Sequence, residues 1–317
     1  MTRIAIELAA PVIDSHRRSS TGTDFVHTFE SGRPGPHAMV NAITHGNEIC
    51  GALAVDRLLR SGLRPVRGTL TLSFANIEAF SRFDPQRPYA TRFIDEDFNR
   101  VWNAQTLDGP RDSIELRRAR ELRPFVEAAD FLLDIHSMLE PGPPVMICGP
   151  LDKGIRFAFD VAIPKDVVSD EGHANGTRMR DFGGFGDPAS PKNALLVECG
   201  QHWERAAEHV AWQTTWRFLR HVDVVDPEIA VREIAREAPA PQRLVRVTEA
   251  VIARTADFRF AREFSGMEVV GQAGDVIAYD GEVTVRAPYD NCVLVMPVPN
   301  NVKTGLTAVR LGRIIQR

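Results

Sequence analysis

The chain has 317 residues, which is long enough to bury a large core and exceeds the usual size of one domain. Apolar residues make up 44% of it and charged residues 25%, the proportions of an ordinary soluble protein. Its 38 basic and 42 acidic side chains leave a net charge of -4, so nothing in the composition indicates binding to nucleic acid or to an anionic membrane.

The N-terminal stretch and the cysteines indicate the compartment. Glu7 interrupts the first apolar run, and no segment reaches the roughly 18 apolar residues of a membrane helix, so we expect neither a signal peptide nor a membrane span. The four cysteines lie far apart and form no CxxC pair, which argues against disulfides and thiolate zinc sites. We therefore expect a cytoplasmic protein.

Short apolar runs alternate with helical patterns up to about residue 222, which is typical of an α/β fold. Strands are predicted at 38–44, 68–76, 131–136, 145–149 and 194–200. Helices are predicted at 48–62, 113–130, 153–162 and about 203–221, with Ser113 as a cap and Pro124 as a kink or break. The glycine- and proline-rich stretch 181–193 is predicted to be a surface loop.

The character of the sequence changes after residue 225. Residues 226–242 are charged and then punctuated by prolines, which is the composition of a linker. Residues 243–317 contain short strand patterns with frequent turns. We therefore predict a main domain at 1–225, a linker at 226–242 and a small all-β domain at 243–317.

Two histidines and a glutamate lie near the ends of predicted strands. His45 and Glu48 lie between a strand and a helix, where ligands bind in open α/β sheets. This pair alone is better explained as the polar start of a helix, because the helix macrodipole favours glutamate there. His136 at a second strand end completes the His₂Glu set of catalytic zinc sites. Asp134 is expected to point to the opposite face of its strand from His136, which leaves it a supporting role beside a ligand.

Two further stretches carry candidate catalytic groups. Glu198 follows apolar residues in a third predicted strand, where a carboxylate can take a proton from zinc-bound water and give it to a leaving amine. The stretch "RFIDEDFNR" (92–100) is explained equally well as a charged surface loop. Its catalytic interpretation gives one arginine to a developing oxyanion, and a second arginine with Asn99 to a substrate carboxylate.

Together these stretches resemble the succinylglutamate desuccinylase/aspartoacylase family, a branch of the zinc carboxypeptidase superfamily. The motifs that carry the resemblance are "THGNE", "TRFIDEDFNR", "DIHSM" and "VECG", in that order, within roughly residues 36 to 222. The resemblance implies a three-layer α/β/α catalytic domain with a mixed sheet, followed by a small all-β domain. It also implies one zinc ion per chain, bound by His45, Glu48 and His136.

The same resemblance assigns roles to five more residues. Glu198 matches the general base and acid of the family, and Arg92 matches the arginine that polarises the scissile carbonyl. Asn99 and Arg100 match the pair that holds the substrate carboxylate, and Asp97 matches a support for their loop.

One departure from the family bears on the acyl group. Aspartoacylase has a tyrosine and an arginine shortly before the catalytic glutamate, whereas the corresponding loop 181–193 contains neither. Arg178 and Arg180 lie upstream of it and are candidates to replace them. A neutral acyl group such as acetyl is therefore at least as well supported as an acidic one. His202, just past Glu198, is expected to begin the next helix rather than to line the pocket.

The expected function is zinc-dependent hydrolysis of the amide bond in an N-acyl amino acid or a similar small N-acyl compound, a linear amide rather than a peptide. The alternatives are a zinc carboxypeptidase that acts on peptides and a catalytically silent zinc-binding protein. The expected partner is a small-molecule substrate, with no nucleic acid and no membrane, and the sequence leaves the formation of homo-oligomers open.

Overall fold

The computed structural model describes residues 5–172, 175–300 and 302–316. Its strands are β1 (Val26–Glu30), β2 (His37–Ala42), β3 (Thr69–Phe74), β4 (Phe131–Met138), β5 (Val145–Ile147), β6 (Asp166–Ser169), β7 (Asn193–Gln201), β8 (Arg243–Ile252), β9 (Arg259–Phe260), β10 (Glu268–Val270), β11 (Val276–Asp280), β12 (Val283–Arg286), β13 (Cys292–Val295) and β14 (Thr307–Ile315). Its α-helices are α1 (Ile49–Arg60), α2 (Ile77–Ser81), α3 (Ala104–Asp108), α4 (Ile114–Ala128), α5 (Asp152–Val161), α6 (Arg205–His221) and α7 (Pro227–Glu233). Short 3₁₀ turns lie at Asp14–His16, Phe98–Arg100, Met179–Asp181 and Gly183–Phe185.

Eleven of the described strands form one mixed sheet, in the order β1-β3-β2-β4-β7-β5-β6-β8-β14-β13-β10. Strands β3, β2, β4 and β7 run parallel, whereas β1 and β5 are antiparallel to their neighbours β3 and β7. Every residue of β7 is buried, as expected of a strand covered on both faces of a sheet. The prediction of a mixed sheet is confirmed.

Helices cover both faces of this sheet. On one face, Leu58 of α1, Phe157 of α5 and Phe218 of α6 belong to the larger apolar core. On the other face, Leu116 and Leu122 of α4 belong to a second core. Because burial of apolar area is the main favourable term in folding, these two cores fix the helices against the sheet. The three-layer arrangement predicted from the sequence is confirmed.

The C-terminal region consists of strands, as predicted, and its first strand extends the main sheet. Strand β8 pairs in parallel with β6 from Asp166↔Arg243 to Ser169↔Arg246, and β14 pairs with β8 on the other side. Strands β9, β11 and β12 form a separate three-stranded sheet. The division into a domain at 1–225 and a domain at 243–317 stays a proposal. The hydrogen bonds between β6 and β8 join the two predicted parts in one sheet.

Three local features differ from the sequence predictions. Helix α4 is not broken at Pro124, since the neighbouring Leu122 and Val126 are fully buried and hold it in place. The loop 181–193 is not purely a surface loop, because Phe182 and Phe185 join the core beside α4. The predicted linker contains α7, which Asp226 caps by accepting a hydrogen bond from the backbone N–H of Glu228.

A search of the described helices finds none with the length and apolar character needed to cross a membrane.

Candidate active site

Three segments of the candidate site meet at one edge of the sheet. Strands β2, β4 and β7 are parallel neighbours, so their carboxyl ends lie side by side. His45 lies in the turn that follows β2, and His136 lies near the end of β4. Glu198 of β7 is the direct register partner of His136. The parallel pairing therefore brings together residues that are far apart in the sequence.

His45, Glu48 and His136 form a buried cluster. The Glu48 carboxylate lies between the two rings, with Oε1 2.7 Å from His45 Nδ1 and Oε2 3.1 Å from His136 Nδ1. The three side chains are at most 4% exposed, and their ligand atoms lie within 4.8 Å of one another. Glu48 is the N-cap residue of α1, but its side chain makes no capping hydrogen bond because the histidines occupy it. The structure therefore brings together the three predicted metal ligands.

A second carboxylate lies behind each ring. Asp97 Oδ1 is 3.1 Å from His45 Nε2, and Asp134 Oδ2 is 2.7 Å from His136 Nε2. The prediction that Asp134 faces away from His136 was wrong, because residues two apart in a strand share a face. Asp134 is itself fixed by hydrogen bonds from Asn41 Nδ2 and Thr44 Oγ1, both 2.8 Å long.

The charges of the cluster shift its protonation equilibria. Burial acts to raise the pKa of Glu48, but the positive charges of His45 and His136 outweigh it and hold that pKa well below its usual range. Burial acts to lower the pKa of His136, but the charges of Asp134 and Glu48 outweigh it and raise that pKa well above the usual value. The buried carboxylates therefore stabilise positive charge at the positions of the two histidines.

A divalent cation fits this arrangement of donors. Asp134 lies at Nε2 of His136, so a neutral His136 ring carries its hydrogen on Nε2 and turns the Nδ1 lone pair toward Glu48. The positive charge that the carboxylates favour is then supplied by a bound cation rather than by a second ring hydrogen. The approach of His136 Nδ1 to Glu48 Oε2 is not directed as a hydrogen bond, and this buried oxygen has no hydrogen-bond partner among the described residues. Two imidazoles and one carboxylate are the donors that zinc prefers, whereas magnesium and calcium prefer oxygen.

Gly46 lets a second loop approach the cluster. Its N–H donates to the carbonyl of Arg92 at 3.0 Å, and a Cβ at this position would lie 2.5 Å from the Thr91 carbonyl oxygen. Only glycine permits this approach without displacement of the backbone. The turn that carries His45 and Glu48 is thus packed directly against the loop that carries Arg92.

Glu198 faces the cluster from the neighbouring strand. It is 9% exposed, and its buried Oε2 has no hydrogen-bond partner in the described part of the chain. Burial raises the pKa of Glu198 to about 7, with the charge of Glu48 adding to the rise and the charge of His136 opposing it. A carboxyl group with a pKa near 7 is suited to accept and return a proton near neutral pH.

The loop 92–100 places two arginines beside the cluster. Arg92 Nη2 lies 2.9 Å from His45 Nε2 and 3.3 Å from Asp97 Oδ2, and its side chain is 38% exposed. Arg100 Nη2 lies 3.9 Å from the same Asp97 oxygen, and burial lowers the pKa of Arg100 to about 10. Asp97 Oδ1 also accepts a hydrogen bond from the N–H of Asn99. Asp97 therefore connects both arginines and Asn99 to His45.

Two acidic residues of this loop have structural contacts instead. Asp95 accepts a hydrogen bond from the N–H of Ile114, and Glu96 accepts one from Ser113, so both contact the start of α4. The buried Glu115 of α4 accepts hydrogen bonds from the N–H groups of residues 94, 95 and 96. The sequence indicated a charged cluster, and the structure divides it into groups that hold the loop and groups that face the site.

Arg178 and Arg310 also lie near the site, and the sequence patterns did not indicate Arg310. Arg178 is buried and forms ion pairs with Asp170 and Asp181, each with a contact of 2.6 Å. Arg310 of β14 lies with Nε 4.0 Å from Asp170, and its charge interacts with Arg178 and Glu198. An arginine within the alternating apolar pattern of β14 was the available signal, but nothing local indicated which site it would approach.

The sequence offers Arg180 as a candidate to bind the acyl group and predicts that His202 begins the next helix. Arg180 is buried and pairs with Asp181 and with the Ala194 carbonyl, so both upstream arginines are held by carboxylates of the protein. His202 does not begin a helix, since α6 starts at Arg205. It lies fully buried in the turn after β7, with Nδ1 2.8 Å from Ser137 Oγ.

Fold and site together define a class. This is a three-layer α/β/α domain with His, Glu and His, a candidate metal centre, at the carboxyl edge of its parallel strands. The family model described as the succinylglutamate desuccinylase/aspartoacylase catalytic domain matches residues 34–140. Residues 34–140 thus match the catalytic domain of that family, the family that the motifs resemble. The matched segment contains His45, Glu48 and His136, and Glu198 lies beyond it.

Solved structures are similar over nearly the whole chain. Succinylglutamate desuccinylase from Vibrio cholerae has a TM-score of 0.65 at 15% identity, over 94% of this chain and 89% of that one. A succinylglutamate desuccinylase/aspartoacylase from Rhodobacter sphaeroides has a TM-score of 0.65 at 16% identity, over 97% and 94%. The product-bound ectoine utilization protein EutE from Ruegeria pomeroyi has a TM-score of 0.63 at 15% identity, over 90% and 87%. No curated protein sequence matches the chain. At these identities the likeness establishes the fold, including the C-terminal strands.

Proposed function

We propose that this protein is a zinc-dependent deacylase that hydrolyses the amide bond of an N-acyl amino acid or a similar small N-acyl compound. The observation that carries the proposal is the buried His45–Glu48–His136 cluster with Glu198 directly across from His136. The match of residues 34–140 to the succinylglutamate desuccinylase/aspartoacylase catalytic domain supports the same class of reaction.

His45, Glu48 and His136 would hold one zinc ion per chain through two Nδ1 atoms and a carboxylate. When bound, the ion supplies a Lewis acid that polarises the scissile carbonyl and acidifies the attacking water. Asp97 and Asp134 keep the two rings oriented with Nδ1 toward Glu48, because each contacts the Nε2 atom of one ring.

Glu198 carries the proton through the reaction. Its carboxylate takes a proton from the attacking water as the water oxygen bonds to the carbonyl carbon. As the carbon–nitrogen bond breaks, Glu198 returns that proton to the leaving nitrogen, and the products are a carboxylic acid and an amine, which at neutral pH ionise to a carboxylate and an ammonium group. The proposal is supported by the pKa of Glu198, which burial raises to about 7, so both protonation states are accessible near neutral pH.

Arg92 stabilises the oxyanion of the tetrahedral intermediate. Its guanidinium lies beside His45 and is 38% exposed, so a bound acyl oxygen can reach it. Asn99 and Arg100 hold the carboxylate of the amino acid, since they lie on the same loop and Arg100 is charged at neutral pH. The loop thus positions the scissile bond between Arg92 and Glu198.

A panel of substrates tests this function against the carboxypeptidase alternative. Zinc-loaded protein is incubated with N-acetyl and N-succinyl L-amino acids and, separately, with peptides that have free C-termini, and released amines are quantified. We expect release from N-acyl amino acids. Cleavage confined to the C-terminal residues of peptides would overturn the proposal. Glu282→Gln, an exposed carboxylate in the turn after β11, is a matched control for substitutions of Glu198.

A further inference from the structure

His202 is a buried side chain near the site to which the proposed reaction assigns no part. Its backbone N–H donates to the Met138 carbonyl at 2.9 Å, and its ring Nδ1 lies 2.8 Å from Ser137 Oγ. Both contacts are with β4, directly after the candidate ligand His136. Two contacts with one strand fix the position of the ring.

The other ring nitrogen has no partner. Nε2 of His202 is buried and makes no hydrogen bond among the described residues. The next residue, Trp203, donates from Nε1 to the Asn47 carbonyl at 3.3 Å, so the turn that carries the ring lies against both ligand-bearing segments, and the charges of Glu48, Arg92, His45 and His136 act on the ring. Leaving a buried polar atom without a hydrogen-bond partner destabilises a protein. A buried polar atom in a native structure calls for a partner, and close to the candidate site a bound substrate can supply one.

The contact with Ser137 determines which nitrogen carries the hydrogen. Ser137 is 3% exposed, and His202 Nδ1 is the acceptor within reach of its hydroxyl in the described structure. The assignment that satisfies both groups has the hydroxyl donating to Nδ1, which places the ring hydrogen on Nε2. Burial lowers the pKa of His202 to about 3, so the ring is neutral at physiological pH. Nε2 is thus a neutral hydrogen-bond donor.

We propose that His202 is a substrate-positioning residue that donates a hydrogen bond from Nε2 to an oxygen atom of the bound N-acyl amino acid. The inference rests on the proposed function and extends it to a residue outside the cluster, Glu198 and the loop 92–100. The amide nitrogen of such a substrate is itself a donor, so the partner of Nε2 is a carbonyl or carboxylate oxygen.

Two substitutions separate this role from a structural one. In His202→Asn the amide lies near the former Nδ1, so the variant retains the Ser137 contact and loses the Nε2 donor. In His202→Gln the longer side chain places an N–H near the former Nε2 and loses the Ser137 contact. We expect His202→Asn to raise KM roughly tenfold, the size of one lost hydrogen bond, with a smaller change in kcat. We expect His202→Gln to restore most of that loss.

Three controls distinguish a lost substrate contact from a loss of zinc or of folding. Zinc content and melting temperature are measured for both variants, and His221→Asn at the end of α6 provides an exposed histidine for comparison. If His202 only supports Ser137, His202→Asn will be the milder variant, and the inference is overturned. Wild-type values of KM and kcat in folded His202→Asn also overturn it.

The hydrogen position is read by ¹⁵N NMR of the histidines in the zinc-loaded protein, independently of turnover. We expect a neutral ring with its hydrogen on Nε2. A hydrogen on Nδ1 overturns the inference even if the deacylase is active. If the wild-type protein hydrolyses none of the N-acyl amino acids, the proposed function fails and the inference falls with it. An active wild type with an unaffected His202→Asn variant removes the inference alone.

Discussion

At the scale of single residues, the site is dominated by carboxylates that face buried histidines. His45 lies between Glu48 and Asp97, and His136 lies between Glu48 and Asp134. This arrangement of carboxylates and histidines would help the site to bind a cation in two ways. In the proposed site the inner carboxylate would be a ligand, and the outer ones would orient the rings and make the imidazoles better donors.

Asp134→Asn tests the outer carboxylate. The amide retains the shape of the side chain but removes the charge that faces His136 Nε2, so we expect zinc affinity to fall roughly 10- to 100-fold. Competition with a chelator of known zinc affinity measures the change. Asp160→Asn, on the exposed side of α5, is the matched control, and equal zinc affinity in both variants would show that Asp134 does not tune the site.

The pH dependence of the reaction follows from Glu198. Burial raises the pKa of this carboxyl group to about 7, and the reaction requires its ionised form. We therefore expect kcat/KM to increase with pH on the acid side, with a midpoint at or below about 7, because a bound cation favours the carboxylate. A pH–rate profile of the zinc-loaded protein measures this, and a rate that falls as the pH rises from about 5 to 7 would be inconsistent with Glu198 as the base.

At the scale of elements, the site depends on a turn and a loop that are packed together. Gly46 allows the turn after β2 to contact residues 91 and 92, and Glu115 of α4 holds the other end of the same loop through three N–H groups. Arg92 is therefore positioned by backbone contacts rather than by its own side chain alone.

Gly46→Ala tests this packing. The new methyl group would overlap the backbone at Ala79 and Thr91, so we expect a loss of about 1–3 kcal/mol in the free energy of unfolding and a lower kcat. Denaturant unfolding and kinetics on the same samples measure both effects. Gly271→Ala, where a Cβ meets nothing within 4 Å, should be neutral in both assays. A neutral Gly46→Ala would mean that the loop is not held by this contact.

Some positions in the site could be predicted from the sequence, and others could not. Parallel strands with polar residues at their ends identified His45, His136 and Glu198 as neighbours, because the carboxyl ends of such strands share an edge. The helix α7 was not predicted, since its Asp226-Pro227 start resembles linker punctuation. Asp134 was misplaced through an error in strand periodicity rather than through missing information.

At the scale of the whole molecule, the main sheet continues into the C-terminal strands. The pairing of β6 with β8, and of β8 with β14, brings Arg310 near Asp170 and into electrostatic range of Glu198. This approach depends on strand pairings across more than 60 residues of sequence, such as Ile314↔Val245. Local patterns carry no information on such pairings, which explains why Arg310 was missed.

Metal removal tests the link between the site and the stability of the fold. A ligand that binds only the folded state stabilises it by about 4 kcal/mol at 1,000 times its Kd. We therefore expect the melting temperature to fall after treatment with a chelator and to recover when zinc is added back. The double variant His45→Ala/His136→Ala should show no zinc-dependent shift. A shift of wild-type size in that variant would place the zinc elsewhere.

We propose that His45, Glu48 and His136 hold zinc while Glu198 moves the proton. This proposal is tested most directly by measuring bound zinc and the turnover of an N-acyl amino acid on the same samples of wild type and Glu198→Gln. We expect one zinc per chain in both proteins and a loss of roughly 10²- to 10⁴-fold in the turnover of the variant. A Glu198→Gln protein that binds zinc and keeps wild-type turnover would contradict it.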